Sequence, residues 1–162
     1  MKKISPLLKG FITGAVMLGV TMLFIYSNQP TNARMQYIGY LLYAGGITWT
    51  LIDYSRSAGY KPAFGSIFGE GFRCFIIITL MTVTFTGIYS YMHPEIAEKA
   101  AQLYKADLIK EHNRTPDEIE KEVSKVKDQF VTGNVSLAIF GSLITGAVFT
   151  AAGAGLLLMR RK

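Results

Sequence analysis

Four long stretches without a charged residue constrain this chain more than any other feature of its sequence. Each is 18 residues or longer, and they cover Gly10–Ala33, Met35–Ile52, Cys74–Met92 and Val131–Met159. A helix rises about 1.5 Å per residue, so about 20 residues cross the ~30 Å apolar core of a bilayer. A chain of 162 residues has little reason to carry four such segments outside lipid. The sequence therefore predicts a small all-α, polytopic membrane protein.

The same stretches predict four transmembrane helices in a single domain, residues 1–162. These helices should span about residues 7–26, 36–54, 72–92 and 135–159. The segment between the third and fourth is water-soluble in character, and within it Thr115, Pro116 and Glu118 match the capping box that starts a helix. We therefore expect an extracytoplasmic helical hairpin over residues 94–130.

The basic residues near the predicted helix ends indicate the orientation. With a cytoplasmic N-terminus, nine bases fall in cytoplasmic segments, and Arg34 alone falls in the short first outside loop. The long second outside loop carries seven bases and nine acids and is a weak signal. Because short cytoplasmic loops are enriched in Lys and Arg, this bias predicts that both termini are cytoplasmic. The nine bases are Lys2, Lys3, Lys9, Arg56, Lys61, Arg73, Arg160, Arg161 and Lys162.

Several function classes find no support in the sequence. The net charge of +6 suggests nucleic acid, but the bases flank apolar runs, as topology signals do, so we expect no nucleic-acid partner. Cys74 is the single cysteine, and His93 and His112 lack metal-ligand spacing. No glycine-rich phosphate loop and no activated nucleophile is recognisable. We therefore predict no metal, no cofactor and no catalysis.

The predicted inner loop, residues 55–71, is rich in glycine and aromatic residues. Phe64, Ile67, Phe68 and Phe72 recur at helical spacing. This pattern predicts a short amphipathic helix that lies along the cytoplasmic interface, with these side chains in the lipid leaflet.

Charged residues near a membrane helix end are the first candidates for a functional site. Asp53 ends the second predicted helix, while Glu70 and Arg73 flank the start of the third at a spacing that allows them to pair. One interpretation is a polar site for an ion, a proton or an anionic head group. The other is that the three side chains reach the interface and neutralise one another.

Small residues in the fourth predicted helix allow another helix to approach closely. The pentapeptide Ile-Thr-Gly-Ala-Val occurs twice, at Ile12–Val16 and Ile144–Val148, which leaves both duplication and chance open. The predicted packing face consists of Gly141, Gly146, Ala147, Ala151 and Gly155.

Three segments carry a family resemblance. They are the inner-loop segment Tyr60–Phe72, the acidic hairpin with its Thr-Pro-Asp-Glu restart, and the last helix, with Leu143–Ala147 and the terminal Arg-Arg-Lys. In these the chain resembles a small family of bacterial inner-membrane proteins catalogued as a domain of unknown function (number 4199). The resemblance implies four transmembrane helices in a bacterial inner membrane. It implies no activity and no catalytic residue.

Two hypotheses of function follow. The first is a non-catalytic accessory or interaction subunit that packs through small-residue helix faces on another membrane protein or on its own copy. The second is a minimal oligomeric transporter or lipid-handling protein that uses Asp53, Glu70 and Arg73. Membrane lipids are expected partners in both.

Overall fold

The computed structural model of the protein describes residues 4–27, 33–110 and 114–160, and it describes residues 33–36 by their backbone alone. Among these residues the secondary structure is entirely α-helical. The positions of His112 and of Lys2, Lys3, Arg161 and Lys162 lie outside the described residues. The six helices are α1 (Pro6–Tyr26), α2 (Ala33–Ser55), α3 (Phe64–Met92), α4 (Pro94–Lys110), α5 (Pro116–Asp128) and α6 (Phe130–Met159).

The ends of the helices follow local capping chemistry. The Ser5 hydroxyl accepts a hydrogen bond from the Leu8 N–H at 3.2 Å, and Pro6 occupies the first turn of α1. At the start of α5, Thr115 and Glu118 form the complete capping box that the sequence predicted. Pro94 begins α4, because the residue before a proline disfavours helical geometry and ends α3.

The prediction of a separate interfacial segment over residues 55–71 is wrong in its second half. α3 starts at Phe64, eight residues before the predicted start, and continues to Met92 as one helix. Ile67 is completely buried in the core, so it does not enter the lipid leaflet. The aromatic rings of Phe64, Phe68 and Phe72 stack in succession along α3, with centroids 5.8 and 6.3 Å apart. Burial of Ile67 and this stacking stabilise the first two turns despite three glycines there.

The described residues separate into two compact units. Unit 1 comprises the described residues within Met1–Thr82 and Ile139–Lys162, and unit 2 comprises those within Val83–Ala138. In unit 1, α1 packs on α2, and the core combines side chains of α2, of the first part of α3 and of α6. Its buried apolar members are Tyr43, Ile47, Leu51, Ile67, Cys74, Phe75, Ile78 and Ala154.

In unit 2, α4 and α5 lie against each other. Ala97 and Ala101 of α4 and Ile119 of α5 are buried. At the edges, the Tyr104 hydroxyl donates to Glu122 at 3.2 Å, and Lys127 pairs with Glu98 at 3.1 Å. The apolar residues of α5 recur at helical spacing and form one face, which packs on α4. The opposite face of α5 is charged.

Three of the described helices are long and apolar enough to cross a membrane, namely α1, α3 and α6. α2 has 23 residues, which is long enough, but its composition is less apolar. Its polar side chains include Tyr43 and Thr50, and both are buried inside unit 1. The lower hydropathy of α2 therefore reflects, in part, polar groups that point into the protein.

Candidate functional site: a mixed-charge cavity at the start of α1

A partly buried ion pair joins α1 to α2. The ammonium of Lys9 pairs with the carboxylate of Asp53, and Lys9 is only 3% exposed. Its Nζ also lies 5.7 Å from the centroid of the Trp49 ring. A lysine is almost never buried to this extent unless it is paired. The Lys9 ammonium therefore depends on Asp53, with a smaller contribution from the aromatic ring.

Close approach of three helices is what buries Lys9. On α1 the buried stripe is Lys9, Gly10, Thr13 and Gly14. A Cβ on Gly10 would lie 2.5 Å from the carbonyl oxygen of Cys74, in α3. A Cβ on Gly46, in α2, would lie 2.5 Å from Thr13. Only glycine permits these distances, which allow α2 and α3 to pack against the first turns of α1.

An open cavity of about 320 Å³ adjoins the ion pair. Side chains from α1, α2, α3 and the α2–α3 connection meet there, and Lys9, Asp53 and Glu70 supply its charges. We call this cavity and its charged residues the Lys9 site. The described residues that line it are Ile4, Ser5, Pro6, Lys9, Thr50, Asp53, Tyr54, Ser57, Gly59 and Glu70.

The α2–α3 connection folds back to form one wall of the cavity. The Ser57 N–H donates to the Tyr54 carbonyl at 2.9 Å, and the Lys61 N–H donates to the Tyr54 hydroxyl at 3.2 Å. The rings of Tyr54 and Tyr60 lie 5.4 Å apart at a tilt of 58°. These contacts hold the connection against the end of α2, so that Ser57 and Gly59 reach the Lys9 site.

In the structure, the predicted polar cluster of Asp53, Glu70 and Arg73 is divided between two ion pairs. Arg73 pairs with Glu70 at 2.9 Å along α3, as their spacing predicted. Asp53 pairs with Lys9, whose place among the nine cytoplasmic bases predicts a role in topology. Asp53 and Glu70 both line the cavity, whereas Arg73 is not among the described lining residues and is 62% exposed.

A sequence signal for Lys9 does exist. Lys9 belongs to the same helical stripe as Gly10, Thr13 and Gly14, whose small side chains are typical of a face that packs closely on other helices. A lysine on such a face, rather than on the face opposite, is positioned for burial.

Polar contacts continue into the middle of unit 1. The Tyr43 hydroxyl donates to the Ser142 carbonyl of α6 at 3.0 Å and shares a hydrogen bond with the Thr79 hydroxyl at 3.1 Å. The Thr50 hydroxyl donates to the Gly46 carbonyl at 3.0 Å. Tyr43 thus links α2, α3 and α6, because a buried tyrosine hydroxyl needs a partner.

The packing face of α6 is rotated from the predicted one, and only Gly146 of the predicted residues is fully buried. A Cβ on Gly146 would lie 2.6 Å from both the Phe75 ring and the Tyr43 hydroxyl. No described atom lies within 4 Å of a Cβ built on Gly141 or Gly155. Ala147 and Ala151 are half-buried. The packing face observed carries Gly146, Thr150, Gly153 and Ala154. These are the small residues of α6 that lie opposite side chains of α2 and α3.

Among the described residues, no group of three His, Cys, Asp or Glu side chains has a geometry that would hold a metal ion. The charges of the Lys9 site instead form hydrogen-bonded pairs. Such an arrangement can recognise a charged or zwitterionic group by exchange of ion-pair partners.

The long apolar helices, together with a core that turns its polar groups inward, define the class: this is a helical membrane protein. Its family follows from comparison with known proteins. The chain belongs to the family described as "Protein of unknown function (DUF4199)", whose model matches residues 8–160, and this confirms the resemblance seen in the sequence. No match was found among the curated proteins or among the solved structures.

Proposed function

We propose that the protein is a four-span protein of a bacterial inner membrane with both termini in the cytoplasm. α2 is the fourth span, since it is 23 residues long and its buried polar groups have partners inside unit 1. In this topology α4 and α5 form the extracytoplasmic hairpin. The charge bias of the short loops supports this orientation.

Within that topology, we propose that the protein binds the polar head group of a membrane lipid at the Lys9 site. The observation that carries this proposal is the buried ammonium of Lys9, paired with Asp53, beside an open cavity of about 320 Å³. This volume is at the lower end of the range for small-molecule sites, and it suits a head group. The protein is thus a lipid-handling membrane protein without catalysis.

The position of the site favours a head group over a ligand in transit. Lys9 lies four residues from the N-cap of α1, and Asp53 lies near the last residue of α2, so both are at the helix ends. Lipid head groups occupy the same depth when these helices span a bilayer. The exposed rings of Phe64 and Phe72 lie at the start of α3, where interfacial aromatic residues are expected.

Burial of the Lys9 charge costs free energy of folding. A functional role explains this cost better than a contribution to stability does. Moving the Lys9 ammonium out of water costs several kcal/mol, and apolar replacements of buried ion pairs are often neutral or stabilising. Ionisable groups within membrane helices therefore indicate functional sites by default.

A lipid-dependent stability measurement tests the proposal. The purified protein is heated in detergent with and without added phosphatidylethanolamine and phosphatidylglycerol. A ligand that binds only the folded state raises the unfolding temperature by mass action. We expect a clear lipid-induced rise for the wild type and a smaller one for the double variant Lys9→Met/Asp53→Asn, whose site has lost its ion pair.

The matched control is Glu98→Gln/Lys127→Met, which removes the exposed ion pair of unit 2. It should show the wild-type rise. An equal rise in the Lys9→Met/Asp53→Asn variant would refute lipid binding at this site.

The second candidate is an accessory subunit that binds another membrane protein or its own copy. It is favoured by glycines that face open space, since no described atom lies within 4 Å of a Cβ built on Gly19, Gly141 or Gly155. Such glycines let a second helix approach closely. Purification from native membranes separates the candidates: an unrelated partner in fixed ratio supports the accessory subunit, and bound lipid without a partner supports lipid handling.

A further inference from the structure

We propose that Arg56 and Arg160 together bind a phosphate group, that of an anionic membrane lipid, in a second cavity at the ends of α2 and α6. The described residues that line this cavity of about 260 Å³ are Ser55, Arg56, Leu157 and Arg160. We call the cavity and its two guanidinium groups the arginine site. It shares no described lining residue with the Lys9 site, so this inference does not depend on lipid binding there.

The arginine site carries positive charge that no described carboxylate balances. Among the described residues, neither Arg56 nor Arg160 takes part in an ion pair, and the described lining contains no acidic residue. Asp53 lies only one turn before Arg56 in α2, but its carboxylate pairs with Lys9 and lines the other cavity. Two guanidinium groups that line one cavity repel each other, and an anion between them offsets this repulsion.

The helix ends account for part of this charge. Ser55 is the last residue of α2 and Met159 is the last residue of α6, so each arginine directly follows a helix C-terminus. Such an end carries about half a negative charge, and a base there is favourable without any ligand. Two ends therefore balance about one of the two positive charges, which leaves about one for a ligand. A phosphodiester, the group that links a lipid to its head group, carries a single negative charge.

The size of the cavity and the chemistry of its groups favour phosphate. Typical small-molecule sites have volumes of about 300–1,000 Å³, and the smaller cavity here suits a single polar group. A guanidinium presents its N–H groups as a planar fork that matches the oxygens of phosphate. Because phosphate oxygens are arranged tetrahedrally, guanidinium groups from two helices can contact one phosphate from different sides.

Apolar side chains next to the arginine site favour a lipid over a soluble phosphate. The Arg56 N–H donates to the Ile52 carbonyl at 3.2 Å, and the Arg160 N–H donates to the Leu156 carbonyl at 3.1 Å, so each arginine continues the last turn of its helix. Ile52 and Leu156 therefore lie one turn further into the span on the same helix faces, and they are 40% and 65% exposed. The acyl chains of a lipid held by its phosphate can cover them.

Native mass spectrometry of the purified protein tests the inference. The protein is equilibrated in mixed micelles with equal amounts of phosphatidylglycerol and phosphatidylcholine of the same acyl chains, and we expect it to prefer phosphatidylglycerol. One base close to an anionic lipid corresponds to about a fivefold change in affinity, so Arg56→Gln and Arg160→Gln should each weaken the preference about fivefold. The matched control is Lys61→Gln, which removes an exposed base of the α2–α3 connection and should leave the preference unchanged.

The number of bound lipids distinguishes one shared site from two separate charges. If both guanidinium groups hold the same phosphate, the two single variants and the double variant Arg56→Gln/Arg160→Gln should all lose the same single phosphatidylglycerol. A loss of two lipids in the double variant would overturn the shared site. Equal binding of the two lipids by the wild type, or an unchanged preference in either single variant, would overturn the inference as well. Both arginines are exposed, so the unfolding temperatures without lipid should match that of the wild type.

Inorganic phosphate distinguishes the two sources of the phosphate group. It is added at an ionic strength matched with chloride. Retention of phosphatidylglycerol supports the lipid, whereas displacement would overturn the assignment to a lipid and indicate a soluble phosphate compound.

The Lys9→Met/Asp53→Asn variant separates this inference from the proposed function. It should keep the phosphatidylglycerol that the arginine variants lose, because the two sites share no described residue. Loss of that same lipid in the Lys9→Met/Asp53→Asn variant would place it in the Lys9 site and overturn the arginine site.

Discussion

At the scale of single residues, the unequal burial of Lys9 and Asp53 determines which substitution is harmful. Lys9 is 3% exposed, and the side chain of Asp53 is 43% exposed. Water can therefore solvate the carboxylate when its partner is removed, whereas it reaches the ammonium much less. The sequence indicates the burial of Lys9 through its stripe with Gly10, Thr13 and Gly14, and it carries no comparable signal for Asp53.

We expect Asp53→Asn to destabilise the protein by about 3 kcal/mol, because it leaves a buried charge without its carboxylate partner. Lys9→Met should cost about 1 kcal/mol or less, and the double variant should be more stable than Asp53→Asn alone. Denaturant unfolding in mild detergent measures the three free energies. Equal losses in the two single variants would contradict the burial of Lys9.

The two glycines Gly146 and Gly155 test the packing of α6 residue by residue. A methyl group on Gly146 would meet Phe75 and Tyr43 at 2.6 Å, so Gly146→Ala should destabilise the protein by about 1–3 kcal/mol through overpacking. Gly155→Ala, on the same helix, has open space among the described residues and should be neutral within about 0.5 kcal/mol. The unfolding temperatures of the two variants measure both effects. A larger loss at Gly155 would mean that α6 packs through the face first predicted from sequence.

At the scale of elements, the start of α5 is set by local chemistry. The Thr115 N–H and hydroxyl both donate to the Glu118 carboxylate at 2.9 Å. Without the Thr115 side chain, the cap is lost at a typical cost of about 1 kcal/mol. Hydrogen exchange of α5 amides should therefore speed up in Thr115→Ala, while Ser124→Ala, later in the same helix, should leave exchange at the helix start unchanged.

The same cap makes α5 sensitive to pH. The hydrogen bond from the Thr115 backbone N–H, followed by that from its hydroxyl, lowers the pKa of Glu118 below its ordinary value. A carboxylate whose pKa is lower in the folded state stabilises that state fully above the unfolded pKa of about 4.3. This contribution disappears as pH falls through the lower folded pKa.

We therefore expect the protection of α5 amides, after correction for the intrinsic rate, to fall as the pH is lowered below about 4. Glu118→Gln should show a weaker dependence, and Glu120→Gln, in the same helix, should follow the wild type. Identical pH profiles for Glu118→Gln and the wild type would remove the cap as the cause.

At the scale of the whole molecule, the topology is tested by labelling. Ala58 lies in the α2–α3 connection and Lys121 lies in α5, and both are exposed. On a Cys74→Ala background, a membrane-impermeant thiol reagent applied to intact cells should modify Lys121→Cys and leave Ala58→Cys unmodified. After the inner membrane is permeabilised, both should react. Labelling of Ala58→Cys in intact cells would reverse the proposed orientation.

The sequence by itself determined the features that depend on composition and on neighbours along the chain. Uncharged stretches of membrane length predicted a helical membrane protein, Thr115 and Glu118 predicted the cap, and three motifs predicted the family. The physical reason is that solvation by lipid and capping of free N–H groups act over one helix or one turn. Neither requires knowledge of which helices meet.

Only the tertiary structure decided how the helices face one another. It buried Lys9 against Asp53, extended α3 back to Phe64 through the burial of Ile67, and turned Gly146 rather than Gly155 toward the core. Each outcome depends on side chains that are distant in sequence and in van der Waals contact in space. Composition indicates that a glycine-rich face can pack, but the shapes of the partners, such as Phe75 and Thr13, select the residues that do, because a packed interior tolerates neither a gap nor an overlap.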